Sequence, residues 1–236
     1  MKQVLYALTF SVALVSCDTV LKTAGSILTT PTTEEAAGGL KDALKQGIGS
    51  GVDVLSAKGG FNNNALIRIM LPEEAKKIET TLRNLGMDAQ VDKVITTLNE
   101  GAENAVKEAK PIFVDAITKM TFQDAMGILT GGNGAATSYL KTTTTTQLTA
   151  AFRPVVQSAL DKVGCTKYWT DLVNTYNKIP TVQKLNPDLN GYVTEKAMAA
   201  LFQRVEAEEN AIRQDPAKRA TDLMKKAFAY ADTKKS

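Results

Sequence analysis

The chain has 236 residues, with 28 basic and 25 acidic side chains, no histidine and two cysteines. A formal charge of +3 is too nearly balanced for a nucleic-acid partner, which needs basic residues gathered on one face. The lack of histidine removes Ser-His-Asp and Cys-His catalysis, histidine-dependent zinc sites and the Glu-x-x-His pairs of di-iron bundles.

Met1 to Phe10 carries one cation, Lys2, and overlaps the apolar run Val4 to Val15, the charged start and short hydrophobic middle of a secretory signal. That run is too short to span a bilayer as a helix, and no later stretch reaches the necessary ~18 apolar residues. Leu14-Val15-Ser16-Cys17 resembles the lipobox of bacterial lipoproteins, in which aliphatic and small residues lead into a cysteine that takes a diacylglyceryl group before cleavage. Cys17 is then the mature N-terminus and the anchor, because several acyl chains at about 0.8 kcal/mol per buried methylene hold a membrane firmly. Without Met1 to Ser16 the chain keeps 27 basic and 25 acidic residues, and Cys165 is the remaining thiol, so no intramolecular disulfide is expected. Asp18 to Thr33, rich in Thr and Ser and holding Pro31, reads as a tether reaching roughly 50 Å. The expected boundaries are a signal peptide over 1–16, a tether over 17–33 and a single helical domain over 34–236.

From Glu34, Leu40, Leu44, Ile48, Val52 and Leu55 recur on one face of a helix, and Gly47, Gly49 and Gly51 imply close packing or a bend within it. Gly59 to Asn64 is a loop, and Ala65 to Leu71 is a short extended piece ended by Pro72. Pro72 opens a helix with Glu73 and Glu74 at its positive end, with Leu71, Ala75, Ile78, Leu82 and Leu85 in register, and Gly86 stops it. Val91 to Ala109 marks another helix, broken or kinked at Pro111, with Ile112, Phe113, Ala116, Ile117 and Met120 beyond. Thr121 to Asp124 caps a short helix bearing Phe122, Ala125, Met126 and Leu129, ended by Gly131 to Gly134. Ala136, Leu140, Leu148, Phe152, Val156 and Leu160 predict a helix through five consecutive threonines, with a kink near Pro154. After Gly164 a helix bears Tyr168, Leu172 and Tyr176. Asp188 opens a long one through Val193, Met198, Leu201, Val205 and Ile212, and Asp215-Pro216 opens the last, with Leu223, Lys226 and Phe228. The fold class is all-α, a multi-helix bundle-like domain with kinked helices and almost no strand.

The remaining chemistry is sparse. Gly131-Gly132-Asn133-Gly134 lacks the preceding strand and the Lys-Ser/Thr of a phosphate loop, so it reads as a helix stop and start. Asp115, and Glu206, Glu208 and Glu209 on one helix, could act as carboxylates only if the fold paired them. Arg68 is a lone cation in an apolar stretch and must meet solvent or a carboxylate, and Arg153 and Arg213 pose the same choice. Cys165, with no histidine to activate it, reads as a small buried residue in a turn.

"GLKDALKQGI", "IRIMLPEEAKKIE", "AKPIFVDAITKMTFQDAMGILTGGNGAATSYL", "NPDLNGYVTEKAMAALF" and "EENAIRQDPAKRATDLMKKAF" resemble, in order and spacing, the motifs of the bacterial family called domain of unknown function 4197. The resemblance implies a helical envelope protein without an established activity, and it supports helix for the threonine stretch. Arg68, Leu71, Pro72, Glu73, Asp115, Thr121, Asp188 and Arg213 match its motif positions. Met70 stands where a proline is usual and Cys165 where a small residue is usual, which supports a packing role for the cysteine.

The expectation is a lipid-anchored protein of the bacterial envelope, on the periplasmic side or at the outer membrane, acting as a non-catalytic structural or partner-interaction module. Its partners are the membrane, through Cys17, and an envelope protein. Arg68, Glu73, Asp115 and Arg213 are the candidate binding residues, and no catalytic residue, metal or cofactor is expected. The alternative is a binding protein for an apolar small molecule or lipid held between helices, with kinks at Pro111 and Pro154 opening a pocket.

Overall fold

Thr32 starts the first helix. Its hydroxyl accepts the Glu35 N–H at 3.1 Å while the Glu35 carboxylate accepts the Thr32 N–H at 3.0 Å, a reciprocal capping box. The computed structural model of the chain describes residues 30–178, 180 and 184–234; Cys17, the expected signal peptide and nearly all of the expected tether lie outside them. Helix α1 (Thr33–Ser56) buries Leu40, Leu44, Ile48, Val52 and Leu55 as the spacing predicts. It is the hub of the fold, packing against five other helices: α3 (Asp88–Val106), α4 (Ala109–Lys119), α5 (Phe122–Thr130), α8 (Leu189–Gln214) and α9 (Asp222–Thr233).

Small residues let those helices come close. A Cβ on Gly39 would lie 2.4 Å from the Leu223 carbonyl and 2.6 Å from Ala227 Cβ, so α9 rests on the backbone of α1. Gly47 and Gly51 face Glu208 and Arg204 of α8 at 3.3 Å each, as close packing requires, whereas Gly49 faces open space. The tightest crossing is therefore at Gly39, outside the Gly47 to Gly51 cluster.

Two polar residues of α3 hold the chain between α1 and α2 (Lys76–Asn84). Buried Glu103 accepts the N–H groups of Phe61 and Asn62 at 3.1 and 3.4 Å. Fully buried Asn99 accepts the Ile69 N–H at 2.8 Å and donates to the Ile69 carbonyl at 2.9 Å, standing in for a strand neighbour. Ala65 to Ile67 form a turn rather than part of an extended piece. Pro72 leads first into a short 3-10 turn (Glu73–Ala75) before α2. That helix ends as expected at Gly86, where φ is +78° and Met87 N–H reaches the Leu82 carbonyl at 3.0 Å. Leu85 departs from its expected register: it lies past the last helical turn and is 71% exposed.

The break before Pro111 falls at Lys107 and Glu108, and Pro111 sits in the first turn of α4, where a missing N–H leaves no hydrogen bond unmade. Thr121 and Asp124 form the expected capping box of α5. Phe122, at the first helical position, points away from the apolar stripe and is 55% exposed.

Helix α6 (Ala135–Lys162) runs through the threonines. Thr142, Thr143, Thr144, Thr145 and Thr149 each donate their hydroxyl to the carbonyl four residues back at 2.6 to 3.0 Å, so the helix itself satisfies them. It is the bent helix of the fold, with Pro154 inside it. Helix α7 (Cys165–Tyr176) has a different register from the expected one. Tyr168 is 74% exposed, while Cys165, Trp169 and Val173 face the core, so Cys165 opens a helix rather than sitting in a turn. Helix α8 starts after Asp188, whose carboxylate accepts the Gly191 N–H at 2.7 Å, and it buries Val193, Met198, Leu201, Val205 and Ile212. Asp215-Pro216 opens only a 3-10 turn (Pro216–Lys218), and α9 is capped by Thr221. Among the described residues there is no strand, and no helix is long and apolar enough to cross a membrane.

Gly39→Ala is expected to destabilise by about 1–3 kcal/mol through overpacking against α9, whereas Gly49→Ala should be neutral or stabilising by up to about 1 kcal/mol. Urea titrations of the two variants check this, and equal midpoints would contradict the packing argument.

Candidate functional site

Helices α6 and α8 run antiparallel and are tied at both ends by polar side chains. At one end Glu209 of α8 accepts the N–H groups of Ala136 and Thr137 at 3.0 and 2.9 Å, together with the Thr137 hydroxyl at 2.8 Å. It thereby caps α6, whose own N-cap is Gly134 and has no side chain to offer. One turn on, Arg213 donates to Glu209 Oε1 at 2.9 Å, to the Ile128 carbonyl at 2.8 Å and to the Leu129 and Gly131 carbonyls at 3.2 and 3.3 Å. A single buried ion pair thus closes the C-terminus of α5 and the N-terminus of α6 around Gly131 to Gly134. The anion position at the start of α6 is filled by the protein's own carboxylate.

At the other end Asp188 takes the Arg153 guanidinium at 3.0 Å, and Asn190 donates to the Arg153 carbonyl at 3.0 Å and to Gln157 at 2.8 Å, beside the Pro154 bend. Burial pushes the Asp188 carboxyl up, but the Gly191 N–H and Arg153 outweigh it and hold the group below the usual carboxylate range.

Between the two ties lies an open groove of about 820 Å³. Its α6 wall is one stripe of residues four apart, Thr137, Lys141, Thr145, Thr149 and Arg153, and the short threonines leave the space. Its α8 wall is the facing stripe, Gly191, Glu195, Met198, Phe202 and Glu206. Met198 and Phe202 are buried and make an apolar floor, with Phe202 edge-on to Phe113 at 6.0 Å. Glu195 and Glu206 stand eleven residues apart, about 16 Å along the helix axis, too far for the paired work of a glycosidase. Among the described residues no group of three or more His, Cys, Asp or Glu could hold a metal ion.

None of the four candidate binding residues lines this groove. Arg68 is exposed, so of its two alternatives it meets solvent. Glu73 is exposed beside Lys76 at 3.5 Å, and Asp115 is exposed and paired with Lys119 at 2.7 Å. Arg213 is buried in the tie just described, and the fold does not bring the four together. Cys165 is buried, and burial pushes its thiol up to about 11, which keeps it protonated and unreactive near neutrality. The stripe from Thr137 to Arg153 was legible as a polar repeat of four lying one residue on from the apolar stripe of α6, about 100° around the helix. That it faces α8 was not, because nothing local marks Glu209 as its cap. The Trp169 position was also missed, through the register shift in α7.

A family model described as "Protein of unknown function (DUF4197)" matches residues 30–229. The chain belongs to this family. The family match begins just before the Thr32 cap and ends within α9, so the groove and both of its ties lie inside it. No curated protein matches the chain, and no solved structure does.

Arg213→Met leaves the Glu209 carboxylate buried without its cation and should cost about 3–5 kcal/mol in urea unfolding; a loss under about 1 kcal/mol would show that the tie does not hold the fold. The Asp188 carboxyl is held low, so its contribution is complete above the ordinary value of 3.8 and is lost as pH falls below it. Thermal melting from pH 6 to pH 2 should therefore show a smaller acid-induced drop for Asp188→Asn than for the parent chain.

Proposed function

We propose that this family member is a non-catalytic interaction module of the bacterial envelope, anchored through lipid on Cys17, and that its α6–α8 groove takes a polypeptide segment of an envelope partner. The observation that carries the reading is the groove itself. From Thr137 to Arg153 it follows about 24 Å of helix, an elongated shape suited to a chain segment rather than a compact metabolite. Its apolar floor of Met198 and Phe202 offers burial, and Lys141 on one wall with Glu195 and Glu206 on the other offers charge matching that fixes register. The anchor supports the same reading, because a tethered module meets membrane-bound partners at high effective concentration.

A photo-crosslinking residue at Thr145 in living cells should give a discrete protein adduct, and the same residue at Asp115 on the exposed face of α4 should not. Lys141→Glu should lower the Thr145 adduct at least about fivefold. Equal labelling at both positions, or none at Thr145, would sink the groove assignment. For the anchor, Cys17→Ser should move the chain from the membrane fraction to the soluble one and remove the acyl mass from its N-terminal peptide. A parent chain that fractionates as soluble would count against lipidation.

A further inference from the structure

The charges of the α6–α8 groove are sorted by wall. Two contacts fix how the walls lie against each other: the Thr137 hydroxyl of α6 bonds Glu209 of α8, and the Thr149 hydroxyl lies 3.3 Å from Met198 Sδ. Twelve residues of α6 therefore run beside eleven of α8. This register puts Lys141 level with Glu206, and Arg153 level with Glu195, across the groove in each case. The α6 wall is thus cationic at two points about 18 Å apart, and the α8 wall is anionic at two points about 16 Å apart.

Those charges are left for an occupant to meet. Elsewhere on α8 and its cap each carboxylate has its cation: Asp188 has Arg153, Glu208 has Arg204 and Glu209 has Arg213. Among the described residues Lys141, Glu195 and Glu206 make neither a hydrogen bond nor an ion pair, so Lys141 and Glu206 face each other without meeting. Lys196, next to Glu195 in sequence, lies over the Tyr192 ring at 5.6 Å instead. Arg153 gives Asp188 one nitrogen, Nη2, and keeps its other N–H groups for a second acceptor.

The walls also limit the form of the backbone between them. An extended segment would bring about seven residues over 24 Å, each with an N–H and a carbonyl to satisfy. Helix backbones offer it nothing, and the threonine hydroxyl hydrogens are already given to α6 itself. A helix arrives with its backbone paired, and two antiparallel helices leave between them the seat that a third fills in a bundle.

We infer that the occupant is an amphipathic α-helix with sorted edges: acidic side chains toward α6, basic side chains toward α8, and an apolar stripe on Met198 and Phe202. Charges eleven residues apart return to one face of a helix, so a single helix meets both points of each wall. Because the walls differ in sign, the sorted edges also fix the direction in which the helix lies. This inference rests on the groove being the docking site and adds the chemistry of what docks.

The test uses the full chain in living cells, with the photo-crosslinking residue at Ser138 in one strain and at Thr149 in another, and maps each adduct to a partner residue by mass spectrometry. The two sites are about 16 Å apart, so the crosslinked partner residues should lie about eleven apart for a helix and about five apart for an extended segment. The mapped segment should carry acids on one edge and bases on the other. Glu206→Lys should lower the Thr149 adduct about fivefold, and so should Lys141→Glu. Changing the partner acid that faces position 141 to Lys should restore the adduct in the Lys141→Glu strain to within about twofold. Partner residues about five apart would overturn the helix, and a helix without sorted edges, or no restoration, would overturn the charge match, with the groove assignment standing in each case. No adduct at either site would overturn the groove assignment and this inference with it.

Discussion

The Glu209–Arg213 pair is the constraint on which the rest of the structure depends. Two charges taken out of water are costly unless every lone pair and proton finds a partner. Here the carboxylate is spent on the first N–H groups of α6 and the guanidinium on the last carbonyls of α5. The first N–H groups of α6 lack intrahelical partners, and at the end of α5 only the Ile128 carbonyl has a local donor, the Gly131 N–H at 3.2 Å, so each charge meets a dipole of opposite sign. The pair converts two helix termini that the local sequence cannot cap into a fixed corner. Arg219 extends the same corner by donating to the Ile212 and Arg213 carbonyls at the end of α8, while its guanidinium and that of Arg213 both lie over the Phe228 ring.

That corner sets the spacing of α6 and α8, and the tie through Arg153, Asp188 and Asn190 sets it again at the far end. Between the ties the short threonine side chains of α6 keep the contact sparse, with the Thr149 hydroxyl reaching Met198 Sδ of α8 at 3.3 Å. The groove is thus a product of two fixed points and small residues between. Against α1 the opposite choice is made: Gly39, Gly47 and Gly51 let α9 and α8 approach until their atoms touch the helix backbone.

Much of this fold was legible from periodicity and caps. Thr121 with Asp124, Asp188, and the glycine at 86 act through neighbours within a few residues, so their patterns carry their meaning. The apolar stripe of α6 outweighed the strand preference of its threonines because hydroxyl bonds to the carbonyl four back relieve their polar demand. What stayed hidden depended on distant partners. Asn99 and Glu103 read as ordinary helix polar residues until Ile69 and Phe61 arrive, and Glu209 reads as a solvated carboxylate until α6 begins above it. The shift in α7 has a simpler cause: Tyr168 and Trp169 are adjacent aromatics, and pattern alone chose the wrong one for the core. Of the candidate binding residues, Arg68, Glu73 and Asp115 are surface groups, and Arg213 works inside the fold.

The threonine ladder of α6 has a consequence for whatever lies in the groove. The hydroxyl hydrogens of Thr145 and Thr149 are committed to backbone carbonyls of their own helix, and that of Thr137 to Glu209. Thr145 Oγ1 therefore offers the groove lone pairs only, whereas Thr149 Oγ1 also lies 3.3 Å from Met198 Sδ and Thr137 is buried on Glu209. On this wall Thr145 and Thr149 stand about 6 Å apart, the rise of four helical residues, with the donors Lys141 and Arg153 one such step beyond them at either side. Such a stripe favours an occupant that brings an N–H or O–H group to the Thr145 hydroxyl oxygen and acceptors to Lys141 and Arg153 on either side, so the order of donors and acceptors is written into α6 before any partner arrives.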